Sequence, residues 1–481
     1  MQKSKNFIYP DIVAAGLPLF FFFVAFAFTF GKFPGAVGEY SFLTSVSAVS
    51  TSALFLVLAR SKCASPASLL AISIILVFGY FKFYWILFDS VAVLQFFPVE
   101  AWPAFKDSGI LLNSFSLLTL GFLIMALASI SCCYWQEKLL PKFVQNVSAA
   151  QEHDSLVSRG LLAVLLILLP VSSYLIWKCR IGIQSMPAEP LPMRLSGIIY
   201  YFHSMMIPGL ILTQIAHATR AGKTWLPRAG ICLLIVWAIS DAAIRGSRGT
   251  LFLAPLMLFF LSVTGGLRFR KAEVIAIVSL VFLAILVVPI VAQYRFLRAV
   301  DGLGVWQAFS IMSANISMKG QVIFQSMVFI FFRIPGMETL IAVVGMDAAP
   351  LGLRAFDVLT SSGGLDGYLT RDIFHVKFVT SYAPSFIAGA YLLGGASLIA
   401  VVSAIAAVVV SFGWRFVLTC GIKNTSMAGV FFLLLVFWGM TEGFTSIFFK
   451  QIIVACVVVV LLELILRLNI RSSTATRRSM G

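Results

Sequence analysis

Apolar residues come in runs of about twenty, separated by short polar segments, along nearly the whole chain. A run of that length crosses a hydrocarbon layer of about 30 Å as an α-helix. In hydrocarbon each backbone polar group must be satisfied within the segment, which selects helix over open strand. The pattern predicts an all-α polytopic integral membrane protein with about 12 transmembrane helices. The spans fall near 12–30, 41–59, 66–88, 109–134, 159–177, 196–217, 229–244, 249–265, 272–292, 382–413, 427–441 and 444–466. The run 382–413 is long for one crossing. Pro384 and the Gly394–Gly395 pair leave two readings, a tilted span or a span plus a broken half-helix.

The polar intervals are short except for 293–377. Interspan segments of that length are functional or disordered. Val322–Phe332 (VIFQSMVFIFF) and Leu340–Val344 are too apolar for a solvated coil. They predict short helices packed on the membrane surface, on the bundle, or as a re-entrant pair. Residues 1–466 are therefore expected to form a single transmembrane helical domain, with 293–377 as a long loop within it. Residues 467–481 follow as a basic tail that is expected to be disordered near anionic headgroups. The first apolar run, Ile12–Phe30, exceeds a signal-peptide core and lacks a small-residue cleavage site after it. It is expected to be retained as the first span.

Charge then fixes orientation. Lys3, Lys5, Arg60, Lys62, Lys138, Lys142, Arg220, Lys223, Arg228, Arg268, Arg270, Lys271 and the tail arginines fall on one side of the predicted spans. Fewer basic residues fall on the other, among them Lys32, Lys106, Lys178 and Arg180. Retention of Lys and Arg inside then places both termini in the cytoplasm and 293–377 outside. The formal net charge is +16, with 11% charged residues and 60% hydrophobic. A soluble domain carries about 25% charged residues, so that class is excluded. The basic excess belongs to membrane topology, and no nucleic-acid partner is expected. The seven cysteines have no metal-ligand spacing. Only Cys179 is predicted outside, so no disulfide is expected.

Ionisable groups at membrane depth or at span ends are costly to place and so are candidates for chemistry. In Asp241–Gly249 (DAAIRGSRG), the spacing puts Asp241, Arg245 and Arg248 on one helical face, with Gly246 and Gly249 allowing close approach. Two guanidinium groups at the mouth of a helical hairpin suit phosphate, which they bind bidentately. A tight turn in which Asp241 neutralises one arginine is the plainer alternative. Arg295 and Arg298, with Tyr294 and Asp301, open the long loop. They either bind ligand or reach lipid headgroups. Arg333, Arg354, Asp357, Asp366, Arg371, Asp372 and His375 form a mixed-charge set among glycines. It is either a folded polar surface or a solvated face. Its carboxylates and its histidine are candidates for a general base. Glu442 lies at the outer end of a span and either lines the same cavity or faces water. His203, beside Tyr200 and Tyr201, is expected to bond a neighbouring helix. Mid-span charge is nearly confined to Lys82. Walker-type GK[ST], HExxH and GxSxG motifs are absent, as is a DxD-like acidic pair outside, so neither a cofactor nor a metal is expected.

Three features resemble the O-antigen polymerases, the Wzy-type oligosaccharide repeat-unit polymerases. They are IRGSRGTL (Ile244–Leu251) between two spans, the single long outer loop 293–377, and TSYAPSFIAGAYLLGG (Thr380–Gly395) entering the next span. The resemblance covers about residues 196–450. It implies a lipid-dependent glycosyltransferase of the bacterial inner membrane with the long loop in the periplasm. Donor and acceptor would both be undecaprenyl-pyrophosphate-linked oligosaccharide. The acceptor hydroxyl would attack the anomeric carbon and undecaprenyl pyrophosphate would leave. Arg245, Arg248, Arg295 and Arg333, backed by Arg180 and Arg354, would stabilise the leaving pyrophosphate. Asp241, Gly246, Gly249 and Glu442 would support them. His375, Asp366 or Asp372 would serve as base. Membrane lipid and a chain-length regulator protein are the implied partners. The nearest rival is the O-antigen ligase, whose His-Asn pairing is missing here because Val376 follows His375. A flippase would show two similar halves, and none is visible. A non-catalytic scaffold of an assembly complex is the remaining alternative.

Overall fold

The computed structural model describes residues 65–88, 91–94, 97–139, 151–183, 191–192, 195–222, 224–245, 249–267, 334–361, 364–375, 383–419, 425–443 and 445–479, with isolated positions between 47 and 58 and between 274 and 311. The predicted spans 12–30 and 272–292, and most of 41–59, lie outside these residues. So does the apolar segment Val322–Phe332.

Among the described residues the ordered elements are helical and no strand occurs. Seven helices are long and apolar enough to cross a membrane. They are α1 (Pro66–Leu87), α2 (Ser108–Leu139), α3 (Gln151–Lys178), α4 (Leu195–Arg220), α5 (Trp225–Arg245), α10 (Phe386–Thr419) and α12 (Ser446–Ser479). Two shorter apolar helices are α6 (Gly249–Val263) and α11 (Thr425–Glu442). Three short helices, α7 (Met337–Gly345), α8 (Ala355–Thr360) and α9 (Gly364–Tyr368), come from the long interspan segment. The chain is thus an all-α membrane protein, and the seven long and two shorter apolar helices fall on predicted spans.

The chain divides into two compact units. The first comprises Met1–Phe143, Ile330–Phe416 and Phe432–Ile452. Its α1 starts at Ser65, whose hydroxyl accepts from the Ser68 N–H at 3.0 Å, with Pro66 at the first helical position. Tyr80 of α1 meets Phe115 and Phe122 of α2 edge-on at 5.4 and 5.7 Å. Its hydroxyl donates to Thr119 at 3.1 Å, which satisfies the one polar atom that this contact buries. Helix α7 packs on α2 and on the turn Val99–Phe105, and Met337 to Val343 are all buried. Leu340–Val344 thus packs against the bundle.

Helix α10 is broken, the second of the two readings. Gly394 and Gly395 are non-helical, and Gly395 has φ +70°, a conformation that a side chain disfavours. A break at this depth frees carbonyls, and the Leu351 N–H donates to the Leu392 oxygen at 2.8 Å. The segment before α8 therefore satisfies the backbone of the break.

The second unit comprises Val144–Phe329, Val417–Phe431 and Ile453–Gly481. Helix α4 is central, packed by α3, α5 and α6, and is buried at each position from Ile207 to Ala218. Gln214 of α4 donates to the Ser158 hydroxyl of α3 and to the Leu226 carbonyl of α5, each at 3.0 Å. One buried amide thus joins three helices. At the chain end, the residues after Arg467 are not disordered as expected. They continue α12 to Ser479. No glycine or proline interrupts them, and a helix already nucleated in the apolar stretch extends at little cost.

Candidate functional site

In the second unit, the spacing that put Asp241 and Arg245 on one face of α5 is realised. Arg245 Nη1 donates to Asp241 Oδ1 at 3.0 Å. Arg245 Nη2 donates to the Tyr200 hydroxyl at 3.1 Å, and the guanidinium also lies 4.6 Å from the centre of the Tyr200 ring. Asp241 is fully buried and the Arg245 side chain is 9% exposed. The guanidinium is thus held on two sides, by an anion and by an aromatic ring. Its Nε–H is enclosed and makes no hydrogen bond among the described residues. The turn that ends α3 passes beside it, and a Cβ added to Gly182 would lie 3.5 Å from Nε.

Behind this pair stands His203, fully buried on α4. Its Nε2 lies 3.3 Å from Asp241 Oδ1, and its Nδ1 is 2.9 Å from the Ser172 hydroxyl of α3. The helix widens to a π turn over Phe202–Met206, and the Trp237 indole N–H donates to the His203 carbonyl at 3.0 Å. Such turns leave backbone groups free for side chains and recur at functional sites. The polar chain Ser172–His203–Asp241–Arg245–Tyr200 therefore crosses three helices. His203 bonds neighbouring helices, as expected. Its approach to Asp241 is new, because helix pairing is not written in a single sequence.

In the first unit, the mid-span charge on Lys82 finds its partner. Lys82 Nζ lies 2.8 Å from Glu338 Oε1, with the two side chains 0% and 2% exposed. Nζ also donates to the Ile334 carbonyl. Lys82 follows a π turn, Leu76–Phe81, in α1. Gly336 makes the contact possible, because a Cβ there would overlap the Phe78 carbonyl oxygen and press on Lys82. Sequence reasoning singled out Lys82 as an anomaly but missed Glu338.

Also in the first unit, the loop carboxylate Asp366 lies near enough to the helix-end carboxylate Glu442 for its charge to act on it. Asp366 lies in α9 and is 7% exposed, and its Oδ1 makes no hydrogen bond among the described residues. A π turn, Leu369–Ile373, follows α9. Glu442 is the last residue of α11, past the apolar run, and is half-buried. Burial, and then the Asp366 carboxylate, push the Glu442 carboxyl up from 4.5 to about 7. A raised carboxyl favours the folded state in its neutral form. Its contribution to stability is full below its ordinary value and is lost as pH rises through about 7. Thermal unfolding in detergent between about pH 5 and 8 is expected to show the wild-type protein weakening as pH rises, and Glu442→Gln is expected to flatten that slope.

The other predicted residues separate by exposure. Asp372, His375, Arg354 and Arg180 are exposed, as is Gly249 at the start of α6. Among the base candidates, only Asp366 is enclosed. Arg180 sits in the turn whose Gly182 adjoins Arg245. Gly246, Arg248, Arg295 and Arg333 lie outside the described residues. No group of three or more His, Cys, Asp or Glu among the described residues is arranged to hold a metal ion. Set against protein-family models, curated proteins and solved structures, the chain matches none of them.

Proposed function

We propose that the protein polymerises oligosaccharide repeat units carried on undecaprenyl pyrophosphate, at the periplasmic face of the bacterial inner membrane. The observation that carries this reading is Arg245. It is anchored by Asp241 and Tyr200 and has a buried Nε–H left without a partner. A buried donor without a partner costs about 1–3 kcal/mol, so its persistence argues for a ligand that accepts from it. At the end of a span, and beside the IRGSRGTL segment in sequence, a pyrophosphate oxygen is a fitting acceptor. In the transfer, the acceptor hydroxyl attacks the anomeric carbon and the carbon–pyrophosphate bond breaks. Arg245 stabilises charge that develops on the leaving oxygen, which is where fixed donors accelerate a reaction most. Arg248, Arg295, Arg333, Arg180 and Arg354 are the further candidates for this task, supported by Gly246 and Gly249. The polyprenyl tails lie among apolar helices, and a chain-length regulator is a proposed partner.

Deletion of the gene in its host tests this reading on a gel of cell-surface polysaccharide. The long-chain ladder should vanish while the single-repeat band stays. Arg248→Ala, at normal protein level, should reproduce that pattern. Loss of the single-repeat band as well would overturn the polymerase in favour of the ligase or the flippase.

A further inference from the structure

We propose that His203 is a positioning residue of the Arg245 site, taking up one proton when a pyrophosphate binds and, through Asp241, releasing the charge of Arg245 to that ligand. This rests on reading Arg245 as the pyrophosphate-binding residue. The residues involved all lie in the second unit.

Ser172 lets His203 hold either charge. It has one hydroxyl hydrogen and two acceptors within reach, the Leu169 carbonyl at 3.0 Å and His203 Nδ1 at 2.9 Å. With the ring neutral, Ser172 donates to Nδ1, and the ring hydrogen sits on Nε2, 3.3 Å from Asp241 Oδ1. With the ring charged, the added proton sits on Nδ1 and is donated to Ser172, whose hydroxyl turns to Leu169. The turn of one hydroxyl thus satisfies Nδ1 in both states, with no heavy atom displaced. A histidine that only ties helices together needs one state. The carboxylate beside it is short of donors. Asp241 Oδ2 accepts no hydrogen bond among the described residues, although Asp241 is fully buried. A buried anion in that condition is stabilised by a further positive charge beside it.

While His203 is neutral, Asp241 and Arg245 cancel. A pyrophosphate brings several negative charges, and an enclosed charge without compensation is costly. With His203 charged, Asp241 stands between two cations, and the three groups together carry one net positive charge. Asp241 holds Nη1 of Arg245, whereas Nε and Nη2 form the other edge of the guanidinium, where the Nε–H has no partner among the described residues. The ligand meets that edge. His203, on the Asp241 side, acts through the carboxylate and does not touch the ligand. The proton comes from solution and no covalent bond is made or broken at this step.

The other ionisable groups on the elements packed around His203 stand apart from it. On α3, Glu152, His153, Asp154 and Arg159 lie roughly 20 Å or more along the helix from Ser172. Tyr174, Lys178 and Arg180 are exposed. On α5, Arg228 is roughly 20 Å along the helix from Asp241. Helix α6 carries no ionisable residue. Helices α11 and α12 meet α4 at Gly209 through Phe431 and Leu462, with Glu463 next in sequence. On α4 itself, Tyr200 engages Arg245 and stacks edge-on with Tyr201. The charge at His203 is therefore set by Asp241 and, behind it, Arg245.

The test uses the full chain reconstituted in lipid vesicles, with undecaprenyl pyrophosphate as the probe, titrated between about pH 6 and pH 8, where imidazole changes charge. The phosphate of the probe titrates too, so wild type and His203→Gln are compared with the same probe at each pH. Glutamine keeps a donor and an acceptor but cannot take a charge. His203→Gln should bind about tenfold more weakly than wild type near pH 6 and equally near pH 8. A merely structural role would weaken binding alike at both. Parallel curves for the two proteins would overturn the proposal and leave Arg245 as the pyrophosphate residue. A wild-type protein that binds no probe at any pH would instead sink the Arg245 reading. If His203→Gln does not accumulate, nitrogen-15 spectra of the four histidine rings of the wild type decide. A solvent-shielded ring must turn from neutral to charged when the probe is added, and no such ring refutes the proposal.

Discussion

Glu338→Ala is expected to destabilise the first unit by about 3–5 kcal/mol, because it strands a buried ammonium group. Lys82 and Glu338 have side chains 0% and 2% exposed, and their contact joins residues 256 positions apart. Removing the carboxylate takes away the buried anion, while the Ile334 carbonyl still accepts from Lys82. Replacing both groups by apolar residues of similar size, Lys82→Met with Glu338→Leu, should restore most of the loss, because the desolvation of both ions is then removed together. Thermal unfolding in detergent of the wild type, both single variants and the double variant gives the coupling directly. Equal melting of Glu338→Ala and wild type would show that the pair contributes nothing. The pair also bears on function. Helix α7 opens the described half of the long segment that leads to α8, α9 and Asp366. An anchor at its start restricts where that segment folds.

The positions of the spans were legible because hydropathy is local: a run such as Trp225–Arg245 declares itself without reference to any neighbour. The Asp241–Arg245 pair was legible for the same reason, since a four-residue spacing fixes a shared helical face. The break in α10 was half legible. Paired glycines signalled it, but the Leu351 N–H that makes it tolerable comes from a distant segment. What was not legible depends on which helix lies beside which. Glu338 reads as an ordinary acidic residue at the first turn of a short helix until α1 is placed against it. The same holds for His203 and Asp241, on different helices, and for Asp366 and Glu442. The three π turns among the described residues, at Leu76–Phe81, Phe202–Met206 and Leu369–Ile373, were invisible as well. Their wider hydrogen-bond step has no composition signature. Each contains, or lies within three residues of, one of the buried ionisable groups Lys82, His203 and Asp366. Local irregularity and buried charge thus coincide in both units.

Arg245→Lys is expected to lower the rate of polymerisation by about 100- to 1000-fold while leaving the fold intact. Lysine keeps the positive charge, so Asp241 stays neutralised and the buried network of the second unit keeps its charge balance. What lysine loses is the planar fork. An ammonium group cannot bond Asp241, lie over the Tyr200 ring and direct a further N–H outward at once. The effect should therefore appear in activity and not in melting temperature. Tyr200→Phe separates the two anchors: the ring that faces the guanidinium remains, and only the hydroxyl that accepts from Nη2 is lost. Its effect should be about ten- to a hundredfold, the scale of one hydrogen bond from a charged donor. Arg245→Ala should behave differently from both, losing stability as well as activity, because Asp241 is then buried without its cation. These variants are compared by vesicle polymerisation rates and detergent melts of the same preparations. If Arg245→Lys polymerises at the wild-type rate, the guanidinium does not act on the leaving group. Its contacts with Asp241 and Tyr200 would then serve only to join α5 to α4.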